Sequence, residues 1–289
     1  MKSLQEKAML VNITIRQWTG KKLDRKVSRE IEAEHSAHNA GNYNKNLLGD
    51  TELRTIQSIA NEIRNFLREQ TLPWSDTGDR LLPATNYFKF IEGFRPLEER
   101  YSQATSDFIK VYPELKIKAR MRLNDLYNEN DYPKVSQLVE KFTVSLHVTP
   151  IADQNDFRVE MNASEINSLK EKIYQDFNAR IDNASQEIWQ RIYQAVSLIV
   201  ERLSADKAKI FDSLMNNLKD LTELLPRLNF TGNKDVNNVI RDMKHLFENP
   251  ENLRASATIR NEKATEAKEL LDRYASYFQV DNAPSEVYA

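Results

Sequence analysis

Residues 164–203 repeat their apolar side chains at intervals of eleven: Ile166, Phe177, Ile188 and Ile199, with Ile210 beyond them. Between these fall Leu169 and Ile173, Ile181 and Ala184, Ile192 and Ala195, and finally Leu203. Steps of three, four and four average close to 3.67 residues per turn, so the stripe stays on one side of a nearly straight helix. Forty residues at 1.5 Å each predict a rod of about 60 Å. Such a seam must be covered, because apolar surface left in water costs roughly 25 cal/mol per Å². Two covers are open: the chain's own C-terminal helices in an antiparallel bundle, or a second copy. The flank carrying Ile188, Trp189, Ile192 and Tyr193 is the expected partner interface.

Composition narrows the function classes. Charged residues make up 29% of the 289, and there are only six Gly, which argues against a Gly-rich barrel and a dinucleotide-binding fold. A net charge of −2 gives the whole molecule no pull towards DNA or a membrane surface. With no Cys, disulfides, thiolate metal sites and a Cys nucleophile are excluded. Residues 1–9 are polar and include Glu6, unlike a secretory leader. The longest apolar run, residues 195–200, is interrupted by Ser197, so no membrane span is expected.

Along the chain, residues 10–18 alternate, with Val11, Ile13 and Ile15 facing one way, the signature of a half-buried strand. Phe142, Val144, Leu146 and Val148 form a second such face, and Phe157, Val159 and Met161 a third; Pro150 lies in the loop between them. A lone hairpin is marginal in water, so residues 11–17 are expected to pair with the 142–161 hairpin in a three-stranded sheet. Loops are expected at 40–50 and 73–83. Helical periodicity predicts helices over 26–38, 53–69, 86–112 with a kink or restart at Pro96, 113–127, and a short one at 135–139. After the long helix, further helices are expected at 204–225, 235–247 and 251–278.

Chemistry-bearing residues are sparse. His35 and His38 lie one helical turn apart beside Glu34, but two ligands without a third make a weak zinc site. Trp74, Asp76, Asp79 and Arg80 in the 73–83 loop could form an anion-binding pocket of a hydrolase; the plainer reading has Trp74 filling the core. No Ser/His/Asp elbow, phosphate-binding Gly loop or HExxH motif is present. Two basic clusters remain. Lys21, Lys22 and Arg25 follow Trp18; Lys116, Lys118, Arg120 and Arg122 form two i,i+4 pairs about 200° apart around a helix. Packed together, the clusters could make a phosphate-tracking groove; apart, they are solvated faces.

Five fragments carry a resemblance: residues 18–22 (WTGKK), the segment 72–83, residues 131–133 (DYP), 156–159 (DFRV) and 188–191 (IWQR). Together they resemble an uncharacterised family of tailed-phage and mobile-element proteins, often encoded near MoxR-type AAA+ ATPases and von Willebrand A-type proteins. The resemblance spans about residues 10–230 and carries no known catalytic or binding residue. It implies an accessory protein of the bacterial cytoplasm with a protein partner.

The expected fold is mostly α with a small antiparallel β-sheet (α+β), a long helix followed by a helical bundle. Residues 1–162 are expected to form an N-terminal α+β domain, 163–278 a long-helix bundle, and 279–289 a flexible tail. The expected function is non-enzymatic: interaction or assembly through the long helix, with itself or an AAA+ ATPase, and without cofactor or metal. The alternative is a nucleic-acid-binding accessory protein using the clusters at 16–29 and 116–122.

Overall fold

The computed structural model describes residues 3–49, 51–152, 163–205 and 209–278. In chain order the N-terminal elements are α1 (Leu4–Lys7), β1 (Ala8–Arg16), β2 (Lys21–Leu23), α2 (Arg25–Glu34), β3 (Asn44–Asn46) and α3 (Arg54–Gln70). Then come β4 (Leu72–Pro73), β5 (Arg80–Pro83), α4 (Tyr87–Leu123), α5 (Val135–Lys141) and β6 (Thr143–Thr149). The chain ends in helices α6 (Ala163–Ser204), α7 (Asp212–Leu228), α8 (Lys234–His245), α9 (Pro250–Ala255) and α10 (Ala257–Arg273). The fold is mostly α with a small sheet. No helix among the described residues is long and apolar enough to cross a membrane.

Two compact units share the chain. One takes residues 1–11, 68–88 and 148–289, the other residues 12–67 and 89–147. The larger sheet has strand order β4-β5-β1-β6. Residues 11–17 were expected to pair only with the 142–161 hairpin, yet β1 also pairs antiparallel with β5, Ala8 opposite Pro83 and Val11 opposite Arg80. The 73–83 stretch expected as a loop is therefore a hairpin, with Gly78 at φ +100° in its turn. Its strands are too short to show alternation; β1 supplies the pairing that stabilises them. The expected strand of Phe157, Val159 and Met161 lies outside the described residues, as does the tail from 279. Likewise β2 and β3 pair with each other, where a basic segment and a loop were expected.

In the first unit, α6 has the predicted extent, and the C-terminal half of its stripe, from Ala184 to Leu203, is covered by the chain itself, while Ile166, Leu169 and Ile173 are half-buried. Ile188, Ile192, Val196, Ile199 and Leu203 are all buried in a core that includes Ala264, Ala267 and Leu270 of α10. The two helices run antiparallel: Gln186 donates to the Tyr277 carbonyl at 3.1 Å, while Arg254 donates to the Ile210 carbonyl at 2.9 Å. The expected helix 251–278 is split into α9 and α10 by Ser256, whose hydroxyl accepts from the Ile259 N–H as an N-cap.

The C-terminal end of α3 is closed by side chains distant in sequence. Arg191 donates to the carbonyls of Glu69 (2.7 Å), Arg68 (2.8 Å) and Thr71 (2.8 Å), while Glu187 accepts from its Nε at 2.9 Å. Arg80 donates to the Thr71 hydroxyl at 2.7 Å, and Asn86 to the Gln70 carbonyl at 2.8 Å. Burial, and then the Arg191 charge, lower Arg80 to about 10, so it stays protonated at neutral pH. The carbonyls left open at a helix C-terminus thus receive cationic donors, which also suit the helix dipole.

In the second unit, α4 is one continuous helix through Pro96, where a kink or restart was expected, and through Pro113, where a new helix was expected to begin. Each proline removes one N–H of the ladder. The buried row Phe94, Tyr101, Phe108, Tyr112 and Leu115 holds the register through both. Trp18 meets Tyr112 edge-on at 5.8 Å, and the Tyr101 hydroxyl donates to the Arg16 carbonyl at 2.8 Å. Gly93 is required by close approach, since a Cβ there would meet two ring carbons of Phe66 at 2.6 and 2.7 Å.

Two outcomes are expected in thermal melts. Arg191→Leu lowers stability by about 3 kcal/mol, because charge-assisted bonds are lost and acceptors are left unpaired. Gly93→Ala lowers it by about 1–3 kcal/mol through overpacking, despite a helix-propensity gain of about 1 kcal/mol, and Phe66→Leu in the same chain restores most of the loss.

Candidate functional site

One face of α4 in the second unit carries Ser102, Thr105, Ile109, Pro113, Ile117 and Arg120, at helical steps of three and four. It lines two successive clefts. The first, about 310 Å³, lies between Pro113–Arg120 and residues 127–135. The second, about 530 Å³, lies between Glu98–Ile109 and residues 139–144. Because Val135 lines the first and Val139 the second, α5 runs antiparallel along this face. The result is a groove with an aliphatic lining: Ile117 is 63% exposed and Val139 57%, with Met121 and Val135 exposed beside them.

The ends of the groove differ in charge. At one end Lys116 is paired with the Glu129 carboxylate, which also accepts from the Tyr127 hydroxyl. These two bonds, the Lys116 one first, hold the Glu129 carboxyl below its usual range. Burial, and then the Glu129 bond, push the Tyr127 phenol up to about 12. Lys116 stands 5.8 Å over the Tyr132 ring and Arg120 5.9 Å over the Tyr127 ring. Glu129 is thereby neutralised, whereas Arg120 and Lys134 have no ion-pair partner among the described residues. At the other end stand the exposed Glu98 and Glu99.

The basic residues singled out in the sequence have separate fates. Lys116 and Arg120 meet at the first cleft. Lys118 is exposed outside it, and the exposed Arg122 donates to the Asn46 (2.8 Å) and Leu48 (3.1 Å) carbonyls. Lys21 and Lys22 line another cleft beside Trp18, on the far side of Asp131–Pro133, and Arg25 sits with Arg29 at a third. Asp131 and Glu140 line the cleft of Lys21 and Lys22, and Glu129 that of Lys116 and Arg120, so carboxylates interrupt both clusters.

The partner interface expected on α6 requires correction. Ile188, Trp189 and Ile192 are buried core, because the C-terminal segment of the same chain supplies their apolar mates. Trp189 stacks on Tyr277 at 4.3 Å, and the half-buried Tyr193 lies 5.2 Å from Phe278. Trp74 also fills that core, edge-on to Phe177 at 5.6 Å, and Arg80 of the 73–83 hairpin is committed to capping the end of α3. Among the described residues, no group of three or more metal-ligating side chains surrounds His35 and His38 or any other point.

Sequence reasoning missed Ile117, Met121, Val135 and Val139 as a surface. Their signal was present: the first pair falls off the buried row Phe108, Tyr112, Leu115 and Ala119, as apolar side chains on a solvent face do. It also missed Lys45, which is 5% exposed and bonded to Asp131 at 2.8 Å, Asp24 at 3.1 Å and the Leu126 carbonyl at 2.8 Å. This triad ties β3 and the N-cap of α2 to the 126–131 segment that walls the first cleft. No protein family, curated protein or solved structure matches the chain.

Burial alone would push the Lys45 ammonium down, but the bonds from Asp131 and Asp24 outweigh it and hold it above its ordinary value. That contribution to stability is complete below about pH 10.4 and is lost as pH rises through the raised value. Asp24 is lowered, first by the Val27 N–H and then by Lys45. Its contribution is present above about pH 3.9 and fades as pH falls through the lowered value. Lys45→Met is expected to cost about 3 kcal/mol at neutral pH. In pH-dependent melts it removes the Lys45 share of the alkaline limb, leaving that of the buried tyrosines, and only reduces the Asp24 share of the acid limb, since the Val27 bond remains.

Proposed function

We propose that this chain is a non-enzymatic interaction protein whose docking surface is the α4/α5 groove of the second unit. The observation that carries this reading is the run of exposed aliphatic side chains along one seam, Ile117, Val135 and Val139, next to cations without carboxylate partners. Monomeric surfaces seldom leave such a row uncovered, and a polar-rimmed apolar patch is what protein partners bury. Nucleic-acid binding draws less support: the basic clusters are split by carboxylates and Arg122 is spent on carbonyls. The resemblance to phage and mobile-element accessory proteins makes a MoxR-type AAA+ ATPase the first partner to test.

Photo-crosslinking amino acids placed at Ile117 and Val139, with a control at the exposed Lys172 of α6, test this in host cells. Discrete protein adducts are expected at the two groove positions and none at the control. Nuclease-sensitive adducts at the groove would instead favour the nucleic-acid alternative, and the absence of any groove adduct would remove the docking reading.

A further inference from the structure

Resting on that docking reading, we infer that the groove binds an amphipathic helix of a partner protein, one with carboxylates at one end and cations at the other. The first ground is charge. Arg120 and Lys134 stand at one end with Lys116, and Glu98 and Glu99 at the opposite end, all beside the same face of α4. Residues 98–120 span about 33 Å at 1.5 Å per residue, the length of a helix of roughly 20 residues. A charge-polarised ligand would meet opposite charge at both ends in one orientation and like charge in the other.

The second ground is the floor. Ile109, Pro113 and Ile117 on α4 face Val135 and Val139 on α5, giving two ridges of branched side chains one turn apart. This is the surface on which apolar residues spaced three and four apart seat themselves in helix-in-groove recognition. A polynucleotide would meet aliphatic side chains here and two carboxylates at one end.

The third ground is a hydroxyl. Thr105 lines the second cleft and is 7% exposed, yet its Oγ1 has no hydrogen-bond partner. A buried polar atom left unpaired is costly, and although this Oγ1 is enclosed, a donor or acceptor on a ligand would satisfy it once the Thr105 side chain turns to a rotamer facing the cleft. In the free protein Thr105→Val should therefore leave the melting temperature unchanged or raise it.

The test uses the full chain and two synthetic helical peptides of about 18 residues, both with leucines spaced three and four apart. One has Glu in its first turn and Lys in its last; the other has the order reversed. Fluorescence anisotropy gives the ratio of their affinities for the wild type and for a charge-swapped variant, Glu98→Lys, Glu99→Lys, Arg120→Glu and Lys134→Glu. The ratio is read because Glu in a first turn favours any helix. The swap is expected to move the ratio by about tenfold or more towards the peptide disfavoured by the wild type. Thr105→Val should weaken the preferred peptide by about fivefold without loss of helicity. A ratio unchanged by the swap, tighter binding of a single-stranded oligonucleotide, or a dimer broken by Val139→Asp would each overturn the inference. Protein adducts at Ile117 together with an unchanged ratio would leave the docking surface standing and remove only its polarity.

Discussion

The end of α3 is the point on which the first unit is assembled. A helix C-terminus leaves its last carbonyls without partners, and an unmet acceptor away from water costs stability. Here Arg191 reaches three of those acceptors, Arg80 serves Thr71, and Asn86 takes the Gln70 carbonyl. The same contacts set the position of α6 against the β4–β5 hairpin, because Arg191 projects from α6 and Arg80 from β5. Arg227 extends the set from α7, donating to the Asn86 side-chain oxygen at 2.9 Å. Side chains from β5, residue 86, α6 and α7 thereby meet at one helix end, while α6 packs separately on α10 through its apolar stripe.

The second unit uses its cations in three ways, and the acceptors within reach decide which. Lys45 is enclosed and bound to two carboxylates and a carbonyl, so its role is structural. Arg122 is spent on backbone carbonyls. Lys116 is shared with Glu129 beside the groove, and Arg120 and Lys134 stand at its rim with their charge available. Equal formal charges in one run of sequence thus divide into scaffold and surface. The docking reading draws on the last group and on the aliphatic seam beside it, and it moves the expected partner surface from α6 to α4 and α5.

Much of the fold was legible in the chain. The eleven-residue stripe determined α6, because an apolar period matched to the helix leaves one face to bury. Alternation determined β1 and β6, and the predicted limits of α3 and α8 fall within a residue or two of those observed. The exposed row of Ile117 and Met121 was also readable, as apolar residues out of register with a buried stripe. Tertiary contacts alone decided what covered the stripe of α6, since the same row of Ile188, Ile192 and Ile199 suits a second copy or the chain's own α10 equally well. They alone made strands of 72–73 and 80–83, which are too short for a periodic signal and exist because β1 offers its open edge. They alone kept α4 continuous through two prolines, where the buried aromatic row outweighs the missing N–H bonds. Periodicity is a property of neighbours in sequence, whereas pairing, capping and the choice of which cations stay exposed depend on residues brought together from distant parts of the chain.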